Sequence, residues 1–196
     1  EYTINVVNET TKTVVTNEVT VNNHYFNVGV GQLQQTITVP EGWDFRIKDG
    51  GNLITTEEVA GGRRIKVNEG VLTGTVVIEV VEKVNGKETG AKDVYTFKID
   101  GSGDIYNQTR VIGNANSYKL EVKDVPNKPE IVSGEDLIDS IEKNAEGFWI
   151  VTPAKGAEGE VVIRATDKDG KVHTYTLTIK QGTNVLVDNE VHRITE

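Results

Sequence analysis

Cysteine is absent from the 196 residues, which removes disulfides, thiolate nucleophiles and thiolate metal ligands together. Methionine is absent too, including at position 1, so the chain is expected to be a piece processed or excised from a longer one. No apolar run reaches the ~18 residues needed to cross a bilayer, and no basic-plus-apolar leader opens the sequence. Any membrane or wall attachment is therefore expected outside these residues. Serine occurs only at Ser102, Ser117, Ser133 and Ser140, none of them in a GxSxG setting. Histidine is confined to His24, His173 and His192, with neither HxH nor HExxH spacing. The glycines are scattered through turns and form no phosphate-cradling GxGxxG or P-loop.

Acidic residues outnumber basic ones by 30 to 21, a net charge of -9 spread evenly along the chain. Phosphate backbones are repelled on average, so nucleic acid is not an expected partner. Solubility alone accounts for a charge of this size.

What is present is a diverged internal repeat at an offset of about 85 residues. Gly74-Thr75-Val76-Val77-Ile78-Glu79 aligns with Gly159-Glu160-Val161-Val162-Ile163-Arg164, and Ile65-Lys66-Val67 with Ile150-Val151-Thr152. Val39-Pro40 aligns with Val125-Pro126 upstream, and Val94–Ile99 with Thr174–Ile179 downstream. Within each copy the apolar residues alternate, as at Tyr95, Phe97, Ile99 and at Tyr175, Leu177, Ile179. Alternation sends these side chains to one face of a pleated strand, and their β-branched and aromatic character suits strands. Asn85-Gly86 and Asp169-Gly170 tolerate the positive φ of tight hairpins. They predict the hairpins Val76–Val84 with Val94–Ile99 and Val161–Thr166 with Val172–Ile179. The triplets Val76-Val77-Ile78 and Val161-Val162-Ile163 suggest strands buried on much of both faces.

One stretch departs from this pattern. Ser133-Gly134-Glu135-Asp136 before Leu137, Ile138 and Ile141 reads as a capping box opening a short helix. Asp100-Gly101-Ser102-Gly103 reads as a boundary between a first domain, 1–100, and a second, 101–196. Val185-Leu186-Val187 and Val191–Ile194 then supply either an extra C-terminal strand of the second domain or the start of a further repeat. Tyr2–Val7 and Val14–Val21 are strand-like, and an unpaired terminal strand of this kind can complete a neighbour's sheet.

Four carboxylates are candidate calcium ligands. Asp100 and Asp104 flank the boundary, while Asp167 and Asp169 lie in a hairpin tip, although Asp167-Lys168-Asp169-Gly170 is too short for an EF-hand loop. Solvated acidic turns are the plainer reading of the same residues. Trp43 and Trp149 are candidate carbohydrate-stacking platforms, set against a role in the core. His173, in a strand beside alternating apolar residues, is expected to face solvent. Asn8-Glu9-Thr10 and Asn107-Gln108-Thr109 match the glycosylation acceptor pattern.

The run Glu160-Val161-Val162-Ile163-Arg164-Ala165-Thr166-Asp167-Lys168-Asp169-Gly170-Lys171-Val172-His173-Thr174-Tyr175-Thr176-Leu177-Thr178-Ile179 resembles the closing hairpin of bacterial surface immunoglobulin-like repeats, as in S-layer proteins and wall-anchored adhesins. Thr75–Ile99 resembles it less closely, because Lys83–Lys92 is expected to lengthen the turn. The fold expected is all-β: two tandem immunoglobulin-like β-sandwich domains, with a short helix in the second. The resemblance implies a spacer, lattice element or adhesion stalk. We therefore expect a non-enzymatic structural module of an extracellular surface array or stalk. An adhesin or carbohydrate-binding module and a phage or virion surface component are the alternatives. The expected partners are neighbouring domains, copies of the same protein, or a host or cell-wall glycan or protein.

Overall fold

The computed structural model describes residues 19–29 and 34–184. The strand-like segments proposed near both termini, with His192 and Asn8, lie outside the described residues apart from the last few positions of Val14–Val21. Two sets of seven strands follow one another. The first comprises β1 (Val21–Val28), β2 (Gln34–Thr38), β3 (Trp43–Asp49), β4 (Ile54–Val59), β5 (Gly62–Val67), β6 (Thr73–Val84) and β7 (Lys87–Asp100). The second comprises β8 (Asn107–Gly113), β9 (Tyr118–Lys119), β10 (Glu130–Ser133), β11 (Ile138–Lys143), β12 (Trp149–Pro153), β13 (Gly159–Thr166) and β14 (Val172–Lys180), and a short β15 (Thr183–Asn184) closes the described chain.

The strands form four sheets, ordered β15-β1-β7-β6-β3 and β2-β5-β4 in the first half, β10-β13-β14-β8 and β11-β12-β9 in the second. Adding seven to each label of the first set reproduces the neighbours of the second, so the repeat seen in the sequence is also a repeat of topology. β1 runs parallel to β7 and β8 parallel to β14; the remaining pairs within each set are antiparallel. The result is an all-β fold consistent with a sandwich arrangement, with one apolar cluster in each half. Val76, Ile78, Phe97 and Ile99 meet Phe26, Ile37, Ile54 and Ile65 in the first. Val161, Ile163, Leu177 and Ile179 meet Ile112, Leu120, Ile141 and Val151 in the second. Each such side chain contributes about 1.5–3 kcal/mol by leaving water.

The hairpin turns fall where the sequence puts them, with Asn85 at φ 53° and Gly86 at φ 76°. The first hairpin differs from expectation: Lys83–Lys92 is not a long turn, because strand pairing continues to Val84 opposite Lys87. Val77 and Val162 are half-buried while their neighbours in the triplets are fully buried; β6 is nonetheless buried on both faces from Ile78 to Val81, whereas β13 alternates and is apolar mainly on one face. The repeat alignment also shifts by one: Ile65 and Val151 are the buried counterparts, and Ile150 is not.

The expected short helix is a single 3-10 turn, Glu135–Leu137, and Ser133 caps nothing; the turn follows Gly134 with no side-chain cap. The reason lies in β11. Its pairing with β12 slips between Ile138 and Ser140, so Ile138 and Ile141 face the same side of a strand at a spacing that mimics a helix. A matching 3-10 turn, Gly51–Leu53, occupies the first half. Both turns aim a leucine at a glycine on the following strand. A Cβ at Gly74 would lie 2.5 Å from Leu53 Cδ1, and one at Gly159 would lie 2.8 Å from Leu137 Cδ1, both glycines having positive φ. Here the duplication preserves a close approach as well as a pattern.

Gly159→Ala is expected to destabilise the protein by about 1–3 kcal/mol, from overpacking and backbone strain. In a Leu137→Ala background the same change should cost less, measured by urea unfolding. An equal cost in both backgrounds would remove Leu137 from the explanation.

Candidate functional site

The region richest in polar contacts is the junction between the two halves, and it is built along β1. Alternation places Phe26 in the core, with its ring 4.6 Å from that of Phe97, and therefore turns Tyr25 and Asn27 outward, toward the second half. Asn27 Nδ2 donates to the Val111 carbonyl (3.0 Å), while Asn27 Oδ1 accepts from the Val111 amide (3.1 Å). One side chain thus pairs with the free edge of β8 as a neighbouring strand would. Nearby, Tyr25 donates its hydroxyl to the Gln181 carbonyl at 3.0 Å, and His24 Nδ1 lies 3.0 Å from the Thr183 hydroxyl. Thr183 and Asn184 pair in parallel with His24 and Tyr25. The described C-terminal strand therefore extends the sheet of the first half. Gly182 permits this, since a Cβ there would sit 2.5 Å from the Asn23 carbonyl oxygen and 2.7 Å from the Tyr25 ring.

At the linker, Arg110 Nη1 donates to Asp100 Oδ2 (2.9 Å), and its Nε and Nη2 reach the two Glu121 oxygens at 3.1 Å each. Tyr118 donates its hydroxyl to Glu121. Burial penalises the Arg110 charge, but Glu121 and Asp100 outweigh it and hold the guanidinium protonated more firmly than usual. Burial likewise works against the Asp100 anion. The Ser102 hydroxyl and the Arg110 charge overcome it and hold the carboxyl below its ordinary range.

The four calcium candidates do not converge. Among the described residues, no three ligand-type side chains come together as a metal site. Asp100 is engaged by Arg110 and Ser102. Asp104 accepts the amides of Tyr106 and Asn107, as well as the Asn107 side-chain amide, the nitrogen of an acceptor motif. Asp167 accepts the amides of Asp169 and Lys171, and Asp169 lies exposed at the hairpin tip. Trp43 and Trp149 are half-buried and pack against the first and second apolar clusters. Trp149 also donates its indole N–H to the Val125 carbonyl and carries Lys143 Nζ 5.4 Å from its ring centre.

His173 is a correction to the sequence reading: it is buried, not solvent-facing. Its position shares the inward parity of Tyr175, Leu177 and Ile179, which was the signal available in the sequence. Nδ1 lies 2.9 Å from the Ile105 carbonyl and Nε2 lies 2.9 Å from Asp167 Oδ2. The ring therefore ties the start of the second half to its closing hairpin. The hydrogen bond to His173, followed by the Lys171 amide, holds the Asp167 carboxyl below its ordinary range.

Between the outward faces of β7 and the β8–β14 pair lies an open cleft of about 200 Å³. Thr75, Thr96 and Lys98 line it from the first half, and Thr109, Thr178 and Lys180 from the second. Neither this cleft nor the Asn27 contact was found from the sequence, because both depend on how the two halves meet.

No family model matches the sequence, and no curated protein matches it either. Solved structures align over most of the chain at low similarity. An endo-fucoidan hydrolase from glycoside hydrolase family 107 is 8% identical, covering 86% of this chain and 28% of its own, at a TM-score of 0.29. The tandem Ig repeats of Dlar are 16% identical, with 81% and 94% covered, at 0.27. The Bacteroides ovatus protein SGBP-B of a mixed-linkage glucan utilization locus, in complex with a heptasaccharide, is 15% identical, with 83% and 43% covered, at 0.24. The chain spans less than a third of the hydrolase and under half of the glucan-locus protein. At these TM-scores the likenesses carry no argument, and the functional reading rests on the chain's own geometry.

The Asp167–His173 contact predicts a pH dependence. A carboxyl depressed in the folded state contributes stability that is present above its unfolded pKa of about 3.9 and lost as pH falls through the folded value. Asp167→Asn should therefore be less stable than the parent at neutral pH and should lose less on acidification below about pH 4. Urea unfolding across that range measures this, and parallel curves would refute the assignment.

Proposed function

We propose that this chain is a non-enzymatic element of an extracellular surface assembly. In this reading two tandem immunoglobulin-like domains, 1–100 and 101–196, are locked at their junction to act as a stiff spacer. The observation that carries it is the Asn27 side chain hydrogen-bonded to both backbone groups of Val111. A freely hinged pair of domains would leave those groups to water. Instead they are satisfied across the junction, with β15 paired to β1 and Arg110 held by Asp100 alongside. Such contacts fix an angle between units, which an array or stalk requires and an independent pair does not. Asp100, Asp104 and Asp167 are committed to hydrogen bonds within the chain, which favours a structural reading over acid–base chemistry. Among the described residues no helix is long and apolar enough to cross a membrane. Its partners in this role would be adjoining domains or further copies of the chain.

A second reading, an adhesin or carbohydrate-binding module, is favoured by one observation: the cleft at the junction presents hydroxyls and lysines together. The two readings are compatible, since a stiff junction also holds such a cleft in one shape.

Small-angle X-ray scattering should show a narrow distribution of interatomic distances for the parent protein. Asn27→Ala leaves the Val111 groups unpaired at a cost of about 1–3 kcal/mol. It should broaden the distribution while circular dichroism stays unchanged. A parent distribution as broad as the variant's would sink the spacer reading.

A further inference from the structure

We propose that the junction cleft is a binding site for an anionic saccharide, with Lys98 and Lys180 holding the acidic group and the threonine hydroxyls holding the ring. The inference rests on reading the chain as a binding module and deepens it by naming the ligand class.

The alternation that buries Phe97, Ile99, Leu177 and Ile179 turns Thr96, Lys98, Thr178 and Lys180 outward. Thr75 stands opposite Lys98 in the β6–β7 register, and Thr178 opposite Val111 in the β14–β8 register. The Asn27–Val111 contact then holds these two outward faces against each other. The cleft thereby gains residues from both halves and exists only while they are docked.

The chemistry of the lining is selective. Among the described residues, neither Lys98 nor Lys180 forms an ion pair with an acidic side chain, although the chain carries 30 acidic residues. The third lining cation, Arg110, is already matched by Asp100 and Glu121. Two cations thus remain to meet an anion, with Asp100 and Glu121 held back by Arg110. The side-chain hydroxyls of Thr75, Thr96, Thr109 and Thr178 have no hydrogen-bond partner within the described chain. Each is a donor and an acceptor, which suits a ligand whose hydroxyls are both as well. Threonine methyls and the Val111 side chain supply an apolar floor for the C–H face of a sugar. At about 200 Å³ the cleft is smaller than the ~300–1,000 Å³ of pockets that enclose drug-sized ligands, and it fits one ring of a longer chain. A carboxylate of a uronic acid and a sulfate ester present the same chemistry to the two lysines.

Isothermal titration calorimetry on the whole chain tests this with four probes: trigalacturonic acid, a chondroitin sulfate tetrasaccharide, neutral cellotriose and sodium sulfate. At least one acidic saccharide should bind, at least tenfold more tightly than cellotriose, and weaken as salt rises. Which of the two binds distinguishes carboxylate from sulfate. Lys98→Gln and Lys180→Gln should each weaken binding roughly tenfold, the loss expected for one charge-assisted contact. Thr96→Val with Thr178→Val should weaken the saccharide and leave sulfate unchanged. Should a glutamine variant lose its native melting transition, Lys→Arg at the same position keeps the charge and should keep binding within a few-fold. Binding of neither acidic probe, equal binding of cellotriose, sulfate as tight as the saccharide, or lysine variants with unchanged affinity would each overturn the proposal. Equal binding of cellotriose overturns the acidic class and leaves the binding-module reading standing, whereas no binding of any saccharide removes both, so the two failures are distinguishable.

Discussion

The Val111 amide and carbonyl lie on the open side of β8, the last strand of its sheet, and the Asn27 side chain takes both. An edge strand leaves a row of unpaired donors and acceptors that must be covered or solvated. Here the cover comes from the other half of the chain. Gly113, two residues on, gives its amide to the Asn184 side chain, so the same edge is capped twice from the first sheet's side. The junction angle follows, because an amide side chain is short and its donor and acceptor are fixed in one plane. Moving either half by an ångström or two would break both bonds at once.

This explains which parts of the molecule could be read in advance. Strands that bury one face declare themselves by parity, and the pairs Tyr95 with Tyr175, Phe97 with Leu177 and Ile99 with Ile179 were legible as a repeated closing hairpin. Asn85-Gly86 was legible because its turn requires a backbone that few other residues adopt. Ile138 and Ile141 carry a helical spacing because a slip in register converts a two-residue period into a three-residue one. His173 is a polar residue at a position of inward parity, and the core accepts it since both ring nitrogens find oxygen atoms. The junction was not legible at all. Asn27 and Val111 are 84 positions apart, and nothing local to either predicts their meeting.

The buried charges obey a common rule. Glu79 lies on the outward face of β6, almost entirely covered, with Lys92 Nζ 2.5 Å and Arg46 Nε 2.9 Å from its oxygens. The Lys92 contact, with Arg46 behind it, overrides the burial penalty and holds Glu79 ionised. Arg110 is treated the same way at the linker. Removing one partner of such a group costs far more than the pair contributes, because the remaining charge is left without water or counter-ion. These clusters therefore set geometry more than they add stability: Arg110 on β8 holds Asp100 at the end of β7.

The same rule bears on Lys98 and Lys180. Cations that must be buried are given carboxylates; these two keep enough contact with water to do without. An anion approaching the chain meets a net charge of -9, and beyond the Debye length of about 8 Å it is repelled or indifferent. Long-range steering therefore works against any acidic ligand, and recognition has to come from contacts made inside the cleft. Two ammonium groups alone would hold any small anion equally. The four hydroxyls confer preference for a polyhydroxylated one, and they surround a single space only because Asn27 fixes the two sheets in place.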